Sequence, residues 1–219
     1  MTSRPKQPTP RPAPRLYLIT PPVVDASIFG SQLSAALDAG DIAAILLRLA
    51  DADERTLINR AKALCSLAQG RGAALLLDGH LELVARASAD GGHMTGIASF
   101  TEAVGQLKPE RIAGAGGMAS RHDAMLAAEQ GADYVMFGEP DVSGKCPAFT
   151  AVEERVEWWA EVFQIPCIGY APSLDGIAPL VSAGADFIAL GDVVWRDPSI
   201  IADTIREAGH YLQLPEATR

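Results

Sequence analysis

One short phrase, repeated, limits what this chain can fold into. Gly131-Ala-Asp-Tyr-Val-Met-Phe-Gly138 returns as Gly184-Ala-Asp-Phe-Ile-Ala-Leu-Gly191, and more loosely as Ala89-Asp-Gly-Gly-His-Met94. Asp90, Asp133 and Asp186 thus recur at intervals of roughly 40 to 50 residues. Each follows an alanine-rich amphipathic stretch and opens a short apolar one. That is the pattern of a helix stopping at a small residue, where φ > 0 costs little, followed at once by a buried strand. Repeated at this interval, it predicts βα units in a parallel sheet.

The rest of the chain fits that unit. Strands are expected at 16–20, 43–49, 73–78, 92–95, 111–116, 133–138, 166–170 and 186–191. Helices are expected at 28–39, 53–70, 80–88, 121–130, 151–163, 174–183 and 198–209, with one more opening at Ser99, where Glu102 has capping-box spacing. Leu57, Ile58, Ala61, Leu64, Cys65 and Leu67 form the expected buried face of helix 53–70. The strand runs do not alternate apolar and polar residues, as expected where both faces are covered. Eight such units predict a (β/α)8 TIM barrel, as one domain over 15–219 behind a Pro-rich tail at 1–14. An open doubly wound sheet is the alternative, but no GxGxxG follows the first strand.

Composition narrows the function. The chain has 219 residues, 48% of them hydrophobic, and a formal net charge of −9. Its isoelectric point of about 4.9 argues against nucleic-acid binding, which needs a basic footprint. No apolar run reaches the roughly 18 residues of a membrane span, and no apolar segment of a secretory signal follows Arg4 and Lys6. A cytoplasmic protein with reduced thiols is expected. The three cysteines, Cys65, Cys146 and Cys167, form neither a disulfide framework nor a CxxC pair.

In such a barrel the chemistry sits at the C-terminal ends of the strands. Arg48 interrupts an apolar run at the second strand's end, and Asp78 ends the third. His93 lies on the fourth strand. Gly114, Gly116 and Gly117 end the fifth, and Gly138 and Glu139 the sixth, with Lys145 in the loop beyond. Gly191 and Asp192 close the eighth. Arg48 and Lys145 suit a phosphate or pyrophosphate, one as a fork of donors and the other as a point charge. Asp78 suits Mg2+, which takes carboxylate plus phosphate oxygens. A plain Arg–Asp pair closing the barrel mouth is the simpler reading of the same two residues. The amides around Gly116 and Gly117 could face an anion. His93 and His122 are candidate proton carriers, because histidine titrates near neutrality. The bland readings are a satisfied core residue for His93 and an exposed residue for His122. Trp158, Trp159 and Trp195 read as packing against the barrel or at a subunit contact. Met118, Met125 and Met136 need nothing beyond packing.

Taken in order, these strand ends resemble those of thiamine phosphate synthase and its relative the thiazole tautomerase, over about residues 15–208. The resemblance runs through Leu16-Tyr-Leu-Ile-Thr20, Leu47-Arg48, Leu77-Asp78, Ala89–Met94, Gly131–Gly138 and Gly184-Ala-Asp186. It implies a TIM barrel that joins a hydroxymethylpyrimidine pyrophosphate to a thiazole phosphate and releases pyrophosphate with Mg2+. It also implies small phosphorylated substrates and a homo-oligomer. The family's Gln-x-Arg-x-Lys keeps only its Arg in Leu46-Leu-Arg48-Leu-Ala50. Its Asn-Asp keeps only Asp78, and its Gly-Gln-x-Asp reads near Thr95-Gly-Ile-Ala98. Its Ser-x-His falls on Gly117-Met-Ala119, and on Ser120-Arg-His122 after a three-residue shift. Its Thr-x-Thr-Lys is shortened to Ser143-Gly-Lys145. Its Gly-Gly reads Ala171-Pro172, and its Ile-Ser reads Gly191-Asp192, with Arg196 near enough in sequence to offset the added carboxylate. Three functions stay open on this reading: the transferase; a tautomerase-like or other enzyme acting on a small phosphorylated ligand; and a non-catalytic binding protein.

Overall fold

Each apolar run that follows a small residue becomes a strand, and the strands pair in chain order. In the computed structural model, which describes residues 12–141 and 143–213, they form a closed parallel barrel, β1 to β8. The strands are β1 (Arg15–Ile19), β2 (Ile42–Leu47), β3 (Ala74–Asp78), β4 (Gly91–Thr95), β5 (Ile112–Gly116), β6 (Tyr134–Phe137), β7 (Cys167–Tyr170) and β8 (Phe187–Leu190). Helices α1 (Ala26–Ala39), α2 (Glu54–Gln69), α3 (Leu81–Ala87), α4 (Ile97–Leu107), α5 (Arg121–Glu129) and α6 (Phe149–Val162) connect the first seven strands. A 3-10 turn, Leu174–Gly176, leads into α7 (Ile177–Ser182), and α8 (Asp192–Trp195) and α9 (Ile201–Leu212) close the chain. Residues 12–14 have no regular structure, and the remainder of the Pro-rich segment lies outside the described residues.

Burial on both faces explains the lack of alternation. Leu16, Leu18, Ile45, Leu47, Leu75 and Leu77 pack outward under the helices. Their neighbours Tyr17, Ile19, Leu46 and Leu76 point inward, with Tyr134, Met136 and Ile168. The barrel interior is therefore filled, as is usual for this architecture. Trp159 is fully buried and stacks on Phe163 at 4.2 Å between ring centroids. Trp195 donates its indole N–H to the Ile19 carbonyl at 2.8 Å. Trp158 packs partly on the outside, under the Arg121 guanidinium.

The expected boundaries hold except where a turn takes over. Ser120 caps α5, and with Asp123 it forms a full capping box. Ser99 does not cap a helix. Gly96, at φ 88°, turns the chain so that α4 begins at Ile97 and Ser99 lies inside it. On α2 it is Ala68, not Leu67, that is fully buried. Helix α8 was not expected, and α9 starts three residues late because Asp197 first closes a turn onto the Ser199 N–H at 2.9 Å.

The repeated Asp has a structural use at the N-terminal end of the barrel. Asp90 accepts the Leu75 N–H at 2.7 Å, Asp133 the Ala113 N–H at 2.7 Å, and Asp186 the Cys167 N–H at 2.8 Å. In each case the carboxylate satisfies a donor at the start of the preceding strand. Unsatisfied buried backbone groups are costly, so the repeat closes this rim.

Candidate active site at the C-terminal rim

Strand β2 ends by handing its backbone to a side chain. The buried Thr20 hydroxyl accepts the Arg48 N–H at 2.9 Å, which fixes where Arg48 leaves the barrel. Arg48 Nε then donates to Asp78 Oδ2 at 2.9 Å, with side-chain exposures of 32% and 25%. The two residues therefore meet at the mouth. This arrangement is the plain closing pair, with both side chains partly solvated. Among the described residues, no hydrogen bond engages the terminal nitrogens of Arg48.

Next to Asp78 in register stands His93. It is 2% exposed, and its Nδ1 lies 2.9 Å from the Tyr134 hydroxyl. That hydroxyl lies 2.8 Å from the Tyr17 hydroxyl. The three groups make a polar chain through the barrel interior. Burial pushes the His93 ring down to about 4, with the Asp78 charge opposing and Arg48 assisting. The ring is thus neutral at pH 7, which corrects the expectation that it titrates near neutrality. Burial also raises both tyrosines, so their hydroxyls stay protonated.

The glycines of β5 make room for this chain. A Cβ on Gly114 would lie 2.1 Å from the Tyr134 hydroxyl. A Cβ on Gly116 would lie 2.1 Å from Glu139 Oε1 and 2.5 Å from His93 Nε2. Glu139 and His93 therefore share the space that Gly116 leaves. Glu139 also accepts the N–H of Gly117. The amide offered to an anion is thus already held by a carboxylate of the chain itself. Part of the Glu139 side chain meets solvent. Its carboxyl is nonetheless deep enough for burial to lift it to about 7, against the opposing pull of hydrogen bonds from Gly117 and from its own backbone.

Lys145 lies in the loop after β6, in a cavity whose lining includes neither Arg48 nor Asp78. Asp141 Oδ1 accepts the N–H groups of Ser143 at 2.8 Å and Lys145 at 3.0 Å, folding the loop after β6 into a tight turn. Lys145 is exposed and lines a cavity of about 330 Å³ with Gly117, Gly138, Glu139, Cys146 and Arg155. A second cavity, of about 540 Å³, opens beside Asp78, Gly79, His93 and Thr95. Gly191 is buried against Tyr170; a Cβ there would lie 3.1 Å from its hydroxyl. Asp192 is exposed, and among the described residues Arg196 forms no ion pair with it. His122 is exposed in the first turn of α5 and lines neither cavity.

Among the described residues, no group of three or more His, Cys, Asp or Glu could hold a metal by itself. Among the described residues, Asp78 has Oδ2 committed to Arg48 and no hydrogen bond to its other oxygen. That suits a magnesium ion arriving with phosphate oxygens, since such an ion commonly takes one or two carboxylates. Tyr134, Tyr17 and Arg155 were not singled out as site residues from the sequence, and Glu139 stood there only as a polar residue at the end of the sixth strand. Two glycines at alternate positions of β5 were the available signal, because inward space in a filled barrel must be taken by something large from another strand.

The comparisons with known proteins agree with this fold. The family model described as thiamine monophosphate synthase matches residues 16–194. The thiamine-phosphate synthase of Rhodospirillum centenum is 42% identical over 188 residues, covering 84% of this chain and 91% of its own. That of Hyphomonas neptunium is 37% identical over 205 residues, covering 90% and 93%. Among solved structures, the thiamine phosphate pyrophosphorylase of Pyrococcus furiosus has the same fold, with a TM-score of 0.72, 21% identity and coverage of 91% and 95%. So does the 3-hexulose-6-phosphate synthase of Salmonella typhimurium, at 0.68 and 14%, covering 90% and 98%. A rim charge pair on a barrel whose sequence matches one family model along most of its length leads to one conclusion: this chain belongs to the thiamine monophosphate synthase family.

Proposed function

We propose that the protein joins a hydroxymethylpyrimidine pyrophosphate to a thiazole phosphate, forming thiamine phosphate and releasing pyrophosphate. The observation that carries this reading is the Arg48–Asp78 pair at the C-terminal rim, 2.9 Å apart and open to solvent on one side. In the reaction the bond from the pyrimidine methylene carbon to a pyrophosphate oxygen breaks. A bond from that carbon to the thiazole nitrogen forms. Negative charge grows on the leaving group, and fixed cations and donors lower the barrier.

Asp78 fixes the plane of the Arg48 guanidinium and leaves its terminal nitrogens for pyrophosphate oxygens. Lys145, in the loop after β6, is the proposed second cation, a point charge in the cavity beside Gly138 and Glu139. Asp78 would hold Mg2+ together with those oxygens, and the ion when bound supplies further positive charge. His93, held from behind by Tyr134 and Tyr17, offers the cavity beside Asp78 an uncharged hydrogen-bonding group, which orients a ring without competing for the anion. Gly138 and Gly191, at the ends of β6 and β8, are the proposed approach for the thiazole phosphate. The partners on this reading are small phosphorylated molecules. Among the described residues, no helix is long and apolar enough to cross a membrane.

A proton-transfer enzyme of the thiazole tautomerase kind is favoured by one observation, the Glu139 carboxyl held near 7 beside His93. Product analysis separates the two. The protein with both precursors and Mg2+ should form thiamine phosphate and pyrophosphate in equal amounts, and no thiamine phosphate removes the transferase. Arg48→Ala should lower kcat/KM at least about 100-fold, near 3 kcal/mol of transition-state stabilisation. Its thermal midpoint should move little, because the pair is partly exposed. Unchanged turnover would take Arg48 out of the mechanism.

A further inference from the structure

The cavity beyond β5 and β6 is lined by two carboxylates, Glu139 and Asp141, and two cations, Lys145 and Arg155. Their formal charges cancel. Arg155 is turned to the carbonyls of Met118 at 3.1 Å and Ala119 at 3.3 Å, and Asp141 holds its own turn. Glu139 and Lys145 are left to decide what enters. Lys145 is exposed on the outer side. Glu139 is inside, on the Gly117 N–H and against His93, in the space where Gly116 lacks a side chain. An upturned amide after a glycine-rich strand is the donor that a phosphate would use. Gly117 has the φ of 62° that such a turn needs.

We propose that Glu139 is a specificity-determining residue: a built-in anion that occupies the Gly117 donor and keeps phosphate groups off that amide. Substrate phosphates are then left to the Arg48 side and the outer rim. This rests on the proposed reading for which substrates arrive, but not on their turnover. The groups facing Glu139 fit the assignment. Asp78 adds a second negative charge from β3, Arg48 is already paired, and His93 is neutral. A neutral acceptor at this position would leave the cavity with one net positive charge and a site for an anion.

The test is calorimetric titration of inorganic pyrophosphate into the full chain at pH 8. Glu139→Gln keeps an acceptor for the Gly117 N–H and removes the charge. It should bind pyrophosphate about tenfold more tightly than the wild type, the order expected for removing a partly screened like charge. Glu139→Asp keeps the charge on a shorter arm and should stay at wild-type affinity. Equal or weaker binding by Glu139→Gln, the same gain in Glu139→Asp, or no pyrophosphate binding by any form would overturn the proposal. Thermal midpoints of all three proteins, measured alongside, show that each is folded. Tighter binding by Glu139→Gln without any thiamine phosphate formation would remove the proposed reaction and leave the role of Glu139 standing. Thiamine phosphate formation with no gain in binding would do the reverse.

Discussion

The two ends of the barrel use carboxylates in opposite ways. At the N-terminal rim, Asp90, Asp133 and Asp186 each take a backbone N–H of the preceding strand, and their charge is spent on closing the ring. At the C-terminal rim, Asp78 meets a guanidinium and Glu139 sits beside a neutral imidazole. There the carboxylates meet a side chain of the rim or, for Glu139, the Gly117 amide just beyond β5, and not the first donors of a strand. The difference follows from direction. Parallel strands all present donors at one end, where a carboxylate stabilises, and open loops at the other, where it can act on a ligand.

Substitutions can break the comparison. The largest effect is expected from Gly116→Ala. Its backbone is not in the left-handed region, so the cost comes from the new Cβ meeting Glu139 and His93. Steady-state kinetics should show kcat/KM down about 100-fold or more, with about 1–3 kcal/mol of overpacking visible in the thermal midpoint. Normal activity in this variant would mean that the mouth is not assembled around Gly116. Next comes Asp90→Ala at the other rim, which orphans the N–H of the fully buried Leu75. The expected loss is about 2 kcal/mol, or roughly 4–8 °C in the melting temperature for a chain of this size. Pyrophosphate binding should be unchanged in the folded protein. A binding defect with normal stability would invert the assignment of the two rims.

The smallest effect is a pH dependence. Burial raises the Glu139 carboxyl from 4.5 to about 7, so the folded state loses stability as pH rises across that window. Burial lowers His93 from 6.5 to about 4, so stability is lost as pH falls across its own window. Between about pH 4.5 and 6.5 the two oppose each other. Glu139→Gln leaves the histidine effect alone, and its melting temperature should fall more steeply than the wild type's from pH 6.5 toward 4.5. The difference should be about 1 kcal/mol, below the limit set by the full shift. Parallel melting curves for the two proteins would show that burial does not couple these groups to folding.

How much of this was readable in advance differs by residue. Arg48 and Asp78 stand out in the sequence because a charge ending an apolar run has few places to go but the rim. Their mutual contact needed the barrel, since the two strands must pair in register. Ser99 misled, because a capping-box spacing cannot reveal that Gly96 turns the chain three residues earlier. His122 has the residue type for proton transfer, but its helix leaves it facing solvent. The Tyr17–Tyr134 bond joins residues 117 positions apart, and His93 meets Tyr134 across 41, so no local pattern carries either. Glu139 was legible as a polar residue at the end of the sixth strand, but its depth exists only once Gly116 and His93 are in place.

The sequence by itself determined the ring: repeated Gly-Ala-Asp phrases, doubly apolar strand runs and helix-spaced faces leave little choice but eight parallel units around one core. Only the tertiary structure decided which polar groups meet inside it. Local patterning is written in nearest neighbours along the chain. A filled barrel, by contrast, brings together inward side chains from strands far apart in sequence, and the space each one occupies is set by what the others lack.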